Sequence, residues 1–88
     1  MLLRIYSIYD TKAGVYAGTF FETNNAVAMR RFSDLVNDPR SPLNRHPADY
    51  ILFGIGVMND ENAKIEGHDP VNLCTAEEVK VKDDSNVH

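Results

Sequence analysis

The run Asn37-Asp38-Pro39-Arg40-Ser41-Pro42-Leu43-Asn44-Arg45-His46-Pro47-Ala48-Asp49-Tyr50-Ile51-Leu52-Phe53-Gly54-Ile55-Gly56-Val57-Met58 passes from one hydrophobic period to another, and the fold follows from where the period changes. Before it, Ala28, Phe32, Leu35 and Val36 recur at three- and four-residue spacing, which puts them on one face of a helix. Pro39 ends that helix, because a proline pushes the preceding residue out of helical geometry and has no N–H to donate. Later in the run, Ile51, Phe53, Ile55 and Val57 alternate, the mark of a strand with one buried side. Gly54 and Gly56 then share the other side and leave a shallow groove where another group can approach the backbone. Between the two periods lie Pro39, Pro42 and Pro47 with Arg40, Arg45 and His46, so the connection is both stiff and basic.

Outward from this run the rest of the chain takes its place. Leu2 to Tyr9 is rich in Leu, Ile and Tyr and ends at the turn formers Asp10-Thr11-Lys12-Ala13-Gly14, which predicts a hairpin into a second strand from Val15 to about Phe21. Gly18 inside that strand predicts a bulge or a close approach. Thr23 or Asn24 is placed to cap the helix. Beyond Met58, Asn59 to Asn62 reads as a turn and Ala63 to Glu66 as a returning strand. Val71 to Cys74, after Pro70, reads as a separate short edge strand. Thr75-Ala76-Glu77-Glu78 has the form of a capping box and predicts one helical turn. The order is ββαββ: an α+β domain over residues 1–82, with one main helix against a small, mostly antiparallel sheet. An acidic tail over 83–88 is expected to be disordered.

At 88 residues and 43% hydrophobic content the chain forms one domain, and so short a chain buries only about 60% of its unfolded surface. A core that small makes self-association expected, through an exposed edge strand that pairs with its own copy as a symmetric dimer. The net charge of -4 and an isoelectric point near 5.2 speak against indiscriminate coating of nucleic acid. The charge is uneven, however. Asp60, Glu61, Glu66, Asp69, Glu77, Glu78, Asp83 and Asp84 lie late in the chain, whereas Arg30, Arg31, Arg40 and Arg45 lie in its middle. The single cysteine, Cys74, excludes an internal disulfide and a cysteine-based zinc cage. Neither a signal peptide nor an apolar run of the roughly 20 residues that a spanning helix needs is present, so a cytosolic chain with no membrane association is expected.

Ile5-Tyr6-Ser7-Ile8-Tyr9-Asp10-Thr11-Lys12-Ala13, Ala28 with Arg30-Arg31-Phe32-Ser33-Asp34, Val36-Asn37-Asp38-Pro39, and His46-Pro47-Ala48-Asp49-Tyr50-Ile51-Leu52-Phe53 form a set of short words in a fixed order. Together they resemble the small nonstructural protein of gokushoviruses, single-stranded DNA microviruses of bacteria, over about Leu3 to Cys74. The resemblance implies an early, non-capsid bacteriophage protein in the host bacterial cytoplasm. It further implies a role in genome replication, or in the switch to single-strand synthesis and packaging. It carries no catalytic or binding residues with it.

Single-stranded nucleic acid is held by cations that follow its phosphates and by rings on which its bases stack. The phosphate candidates are Arg30, Arg31, Arg40 and Arg45, and the stacking candidates are Tyr50 and Tyr6. Tyr9, Tyr16, Phe20 and Phe21 lie on the same strands. The competing reading has the phenylalanines Phe20, Phe32 and Phe53 in the core and the arginines solvated, with Asp34 and Asp38 as local ion partners. His46 is a loop contact or a local packing residue. His68 and His88 form no metal-ligand spacing, so no metal or cofactor is expected. No phosphate loop, serine elbow or apolar carboxylate pair is present, and Cys74 reads as an inert buried thiol, so no enzyme activity is expected. The function expected is DNA binding in phage replication or packaging, preferably of single strands. The alternative is a non-enzymatic adaptor that binds a phage or host replication protein through the proline loop, where Pro39 and Pro42 have PxxP spacing, or through a sheet edge.

Overall fold

The structure is a computed structural model that describes residues 1–81; the expected tail over 83–88 lies outside the described residues. Four strands, β1 (Leu2–Asp10), β2 (Val15–Glu22), β3 (Tyr50–Asn59) and β4 (Ile65–Thr75), form one antiparallel sheet in the order β2-β1-β3-β4. One long helix, α1 (Asn25–Val36), packs on one side of it, with single turns α2 (Pro42–Arg45) and α3 (Ala76–Val79) at its margin. The ββαββ order and α+β class expected from the sequence are those of the structure.

Local chemistry sets each boundary. The Asp10 carboxylate accepts from the N–H groups of Lys12 and Ala13, and Gly14 takes φ of +70°, so the hairpin closes as the turn residues predicted. Asn24 caps α1 by accepting from the Val27 N–H at 2.9 Å. The helix ends at Val36, two residues before the position that Pro39 alone would dictate. Asn37 ends it: its side-chain amide donates to Ser33 O at 2.8 Å and to Val79 O at 3.1 Å, and its Oδ1 accepts from the Val81 N–H. The end of α1 is thereby tied to α3. The Thr75 capping box of α3 forms as read, with Thr75 and Glu78 satisfying one another's backbone N–H.

The core lies between α1 and the sheet. Tyr6 and Ile8 of β1, Leu52 of β3 and Cys74 of β4 meet Ala28, Phe32 and Val36 of the helix, all nearly free of solvent contact. Leu35, expected on the same helical face, is partly exposed at its edge. The buried side of β3 is the reverse of the one its alternation suggested. Leu52 is 0% exposed, whereas Ile51 and Phe53 stand half-buried on the far side of the sheet. The register accounts for this: Leu52 pairs with Ile8, and Ile51 and Phe53 pair with Tyr9 and Ser7. The odd-numbered residues of β1 therefore point away from the helix. Phe32 is a core residue as expected and Phe20 packs against the core, but Phe53 belongs to the open face.

Register shifts interrupt the ladders at Gly18 in β2, at Ile55 in β3 and within β4. The first is the predicted bulge, with Gly18 at φ of +65°. The second sets Gly54 opposite Tyr6 and Gly56 opposite Ile5, residues of opposite faces, so the two glycines do not form the shared groove that simple alternation implies. The third lets β4 run on from Ile65 to Thr75 as one strand, where the sequence suggested two; the residues around Pro70 fall in the shift, on an edge where a missing N–H is tolerated.

A Cβ on Gly56 would lie 2.5 Å from the backbone oxygen of Glu66, whereas one on Gly54 would touch only Leu73 Cδ1 at 4.0 Å. Gly56→Ala is expected to lower stability by about 1–3 kcal/mol, the usual cost of overpacking, and Gly54→Ala to leave it within about 0.5 kcal/mol. Urea denaturation of both variants checks this, and equal midpoints would show that β3 and β4 do not meet as closely as described.

Candidate nucleic-acid interface

The six residues proposed for DNA contact fall into three environments. Tyr6 is 1% exposed, its hydroxyl donates to Asn25 Oδ1 at 2.8 Å, and its ring stacks on Phe20 with 5.5 Å between centroids. Burial, ahead of the neighbouring charges, pushes its phenol above the usual range. A ring enclosed in this way has no face for a base, so Tyr6 is a core residue and not a stacking surface. Tyr50 is half-buried against the core and lines a surface cavity. The arginines are all on the surface.

Arg31 reaches from α1 toward β2. Its Nη1 donates to Glu22 Oε2 at 2.8 Å, and its guanidinium carbon lies 4.4 Å from the centre of the Phe20 ring. Arg40 is held locally: Nε and Nη2 donate to the two carboxylate oxygens of Asp38 at 3.1 Å each, and its backbone N–H donates to Asp38 Oδ1. Those hydrogen bonds hold the Asp38 carboxyl below its usual range. Arg30 and Arg45 are exposed and make no hydrogen bond or ion pair among the described residues. Asp34, expected as an ion partner, makes no ion pair among the described residues; Glu22, on the neighbouring strand, is the partner that Arg31 uses.

Between α1 and β2 runs a surface groove with a volume of about 520 Å³. Ile8, Phe20, Phe32 and Leu35 give it an apolar floor, and Arg31, Asp34 and Asp38 a charged rim. It adjoins a second cavity of about 280 Å³ through Ile8, Gly18 and Leu35, and that cavity continues past Val15 and Leu43 to Tyr50. Gly18 is the hinge of this arrangement: its bulge leaves the shared floor without a side chain. The groove thus brings Arg31, Phe20, Tyr50 and, through Asp38, Arg40 along one side of the molecule. No arrangement of Arg30 and Arg45 around it follows from these contacts.

The opposite face of the sheet carries a second set of aromatic rings. Tyr9 and Tyr16 lie 4.7 Å apart, and Phe53 meets them edge-on at 6.2 and 5.7 Å. Strand pairing brings these rings together across β2, β1 and β3, on a face that no helix covers. Tyr9 and Tyr16, read from the sequence as residues of the first two strands, share this face through their pairing.

Residues 3–79 match the model of the family described as Phage ORF5 protein. The chain belongs to that family. It is therefore a bacteriophage protein, and the resemblance to phage proteins drawn from the short words of the sequence holds at that level. No curated protein and no solved structure matches it. In this phage ORF5 chain no helix among the described residues is long and apolar enough to cross a membrane.

Sequence reasoning missed two elements of the interface. Phe20 was named with the strand aromatics but weighed as a core residue, and the cation over its ring, Arg31, comes from another element. Asn37 was given no role and the helix end was assigned to Pro39, although Asn37 holds the end of α1 against α3. Neither is marked by spacing, since each depends on a partner from another element.

Cys74 is 4% exposed, and burial, with Glu78 nearby, pushes its thiol up to about 11 from 9.0. The folded chain holds this proton more tightly than the unfolded one. The thiol's contribution to stability is therefore complete below pH 9 and is lost as the pH rises from 9 toward 11. At pH 8 a water-soluble alkylating reagent is expected to modify Cys74 at least ten-fold more slowly in the folded chain than in urea, as followed by mass spectrometry. Equal rates would show an accessible thiolate.

Proposed function

We propose that this phage ORF5 chain is a nonstructural protein of the gokushovirus kind that binds DNA, single strands in preference to duplex. It acts in the host bacterial cytoplasm and assists genome replication or packaging without catalysis. The observation that carries the reading is the Arg31 guanidinium above Phe20 at the mouth of the groove between α1 and β2. Phosphate and base are the two chemistries a single strand presents, and a cation beside a partly exposed ring meets both. A duplex hides its base faces in the stack, which leaves only its phosphates to such a site.

The existing ion pairs do not oppose this reading strongly. Glu22 and Asp38 hold Arg31 and Arg40 in pairs at the surface, and exposed pairs of this kind contribute only about 0–1 kcal/mol. Exchange of a carboxylate for a phosphate is therefore inexpensive. The acidic rim and the net charge of -4 act against tight, indiscriminate binding, which suits a factor that takes up single strands transiently. Tyr50 at the far end of the joined cavities offers a second stacking surface, and Arg30 and Arg45 are exposed cations for phosphates outside the groove.

The adaptor reading has less support. Pro42 is the first residue of α2 and Pro47 opens a 3-10 turn, so the proline loop does not present the extended left-handed conformation that PxxP recognition requires.

Fluorescence anisotropy with labelled single-stranded and duplex DNA tests the proposal. If four arginines meet phosphate, log K against log salt has a slope of about -3 for single strands, and Arg31→Ala with Arg40→Ala reduces it by about 1.4. Absence of binding at low salt, or an unchanged slope in the double variant, overturns the assignment.

A further inference from the structure

We infer that the uncovered face of the sheet is the contact surface for a second copy of this chain, which packs sheet against sheet. The decisive observation is the distribution of charge across the two faces. In the paired register Arg4, Asp10, Glu22 and Glu66 all fall on the side that carries α1. The other side presents Leu3, Ile5, Tyr9, Tyr16, Phe21 and Phe53, with no charged side chain at any register position. An alternating strand that faced water would show its charges there. Here the charged residues lie toward the helix, at its margins, and the aromatic residues are left outside.

The face is also packed in the manner of an interface. Ile5 is 6% and Ser7 0% exposed although neither belongs to the core beneath the helix; Ile5 pairs with Phe21 and Ser7 with Phe53, so a large ring stands beside each on the same face. Ser7 spends its hydroxyl on Thr19 Oγ1 and Ala17 O, so even its polar group is satisfied within the sheet. Tyr16 and Phe21, at 46% and 40%, stand up from this layer as large hydrophobic side chains in contact with water. Charge depletion with aromatic enrichment is what distinguishes the centre of a protein interface from ordinary surface.

Size and charge select a second copy as the occupant. Four strands at about 4.8 Å spacing and about 30 Å length give a flat footprint of roughly 580 Å², about seven-tenths of the ~800 Å² of accessible surface each partner contributes to a standard interface, and the corrugation of side chains adds to it. A chain of net charge -4 meets its own copy favourably only across a neutral surface, and this face is neutral. DNA is the poorer occupant, since its phosphates would find no cation at these positions. Pairing through an edge strand, the route the sequence suggested, is less favourable as well. β4 carries Pro70 and β2 carries the Gly18 bulge, and both features blunt an edge. Two sheets packed face to face leave the groove between α1 and β2 outward on each copy, so the dimer and the DNA reading are independent.

Sedimentation equilibrium of the full chain over about 1–100 µM, with Tyr16→Glu and Tyr16→Glu/Phe21→Glu variants, tests the inference. The wild type is expected to approach twice its 9.9 kDa mass. Both variants are expected to remain monomeric at concentrations at least ten-fold higher than the wild-type midpoint. Their circular dichroism and their single-stranded DNA affinity per chain should match the wild type, because both positions are partly exposed and lie away from the groove. A wild type that is monomeric at 100 µM, or a dimer that persists in the double variant, overturns the inference. So does a monomeric wild type whose Tyr16→Glu variant loses DNA binding, which would assign the face to bases. Loss of DNA binding in the Arg31→Ala variant with the dimer intact bears on the proposed function alone.

Discussion

A single twelve-residue helix has to stabilise a four-stranded sheet, and the rest of the molecule depends on that constraint. α1 is long enough to cover one side of the sheet and leaves the other without a layer. The core is accordingly thin: Tyr6, Ile8, Leu52 and Cys74 below, Ala28, Phe32 and Val36 above. Removal of apolar area from water drives this packing at about 25 cal/mol per Å², and so few side chains leave a small margin over the conformational entropy of ordering the chain. Polar latches act at the periphery of this core. Asn37 ties α1 to α3, and Lys80 donates to Asn44 O, so the C-terminal turn and the proline loop are both held to the helical layer.

The asymmetry of the sheet organises function in the same way as stability. On the helix side, backbone irregularity at Gly18 opens a groove where charged and aromatic groups meet. On the far side, the register gathers Tyr9, Tyr16, Phe21 and Phe53 into a neutral, aromatic surface. The two surfaces have different chemistry because the register places Arg4 and Asp10 of β1 on the helix side and Leu3, Ile5 and Tyr9 on the other. Membership of the phage ORF5 family makes the chain a bacteriophage protein, and its two surfaces differ in chemistry, one with charged and aromatic groups at a groove and one neutral.

Much of the fold was legible in residue spacing. The hairpin at Asp10 to Gly14, the Gly18 bulge, the Asn24 cap and the Thr75 capping box are local devices, each complete within a few residues. The face of β3 was not legible. Ile51, Phe53, Ile55 and Val57 alternate as one buried side would, but Ile51 and Phe53 face outward, the shift at Ile55 returns Val57 to the side of Arg4, and Leu52 is the β3 residue that enters the buried core. Alternation reveals that two faces differ and does not reveal which one meets a partner within the same chain. The candidate site was legible as residue types. Arg31 and Tyr50 line two adjoining cavities and Arg40 pairs with Asp38 at the rim, whereas Tyr6 is enclosed in the core, where its hydroxyl finds Asn25, nineteen residues away.

By itself the sequence determined the element order, the turns and the helix caps, because all of these follow from the conformational preferences of short segments. The tertiary structure decided which sheet face is covered, which arginines are already paired, and where a ring lies beneath a cation. Those outcomes depend on strand register and on the side from which α1 approaches. Both arise from contacts between residues far apart in the chain, whose free energies no local pattern records.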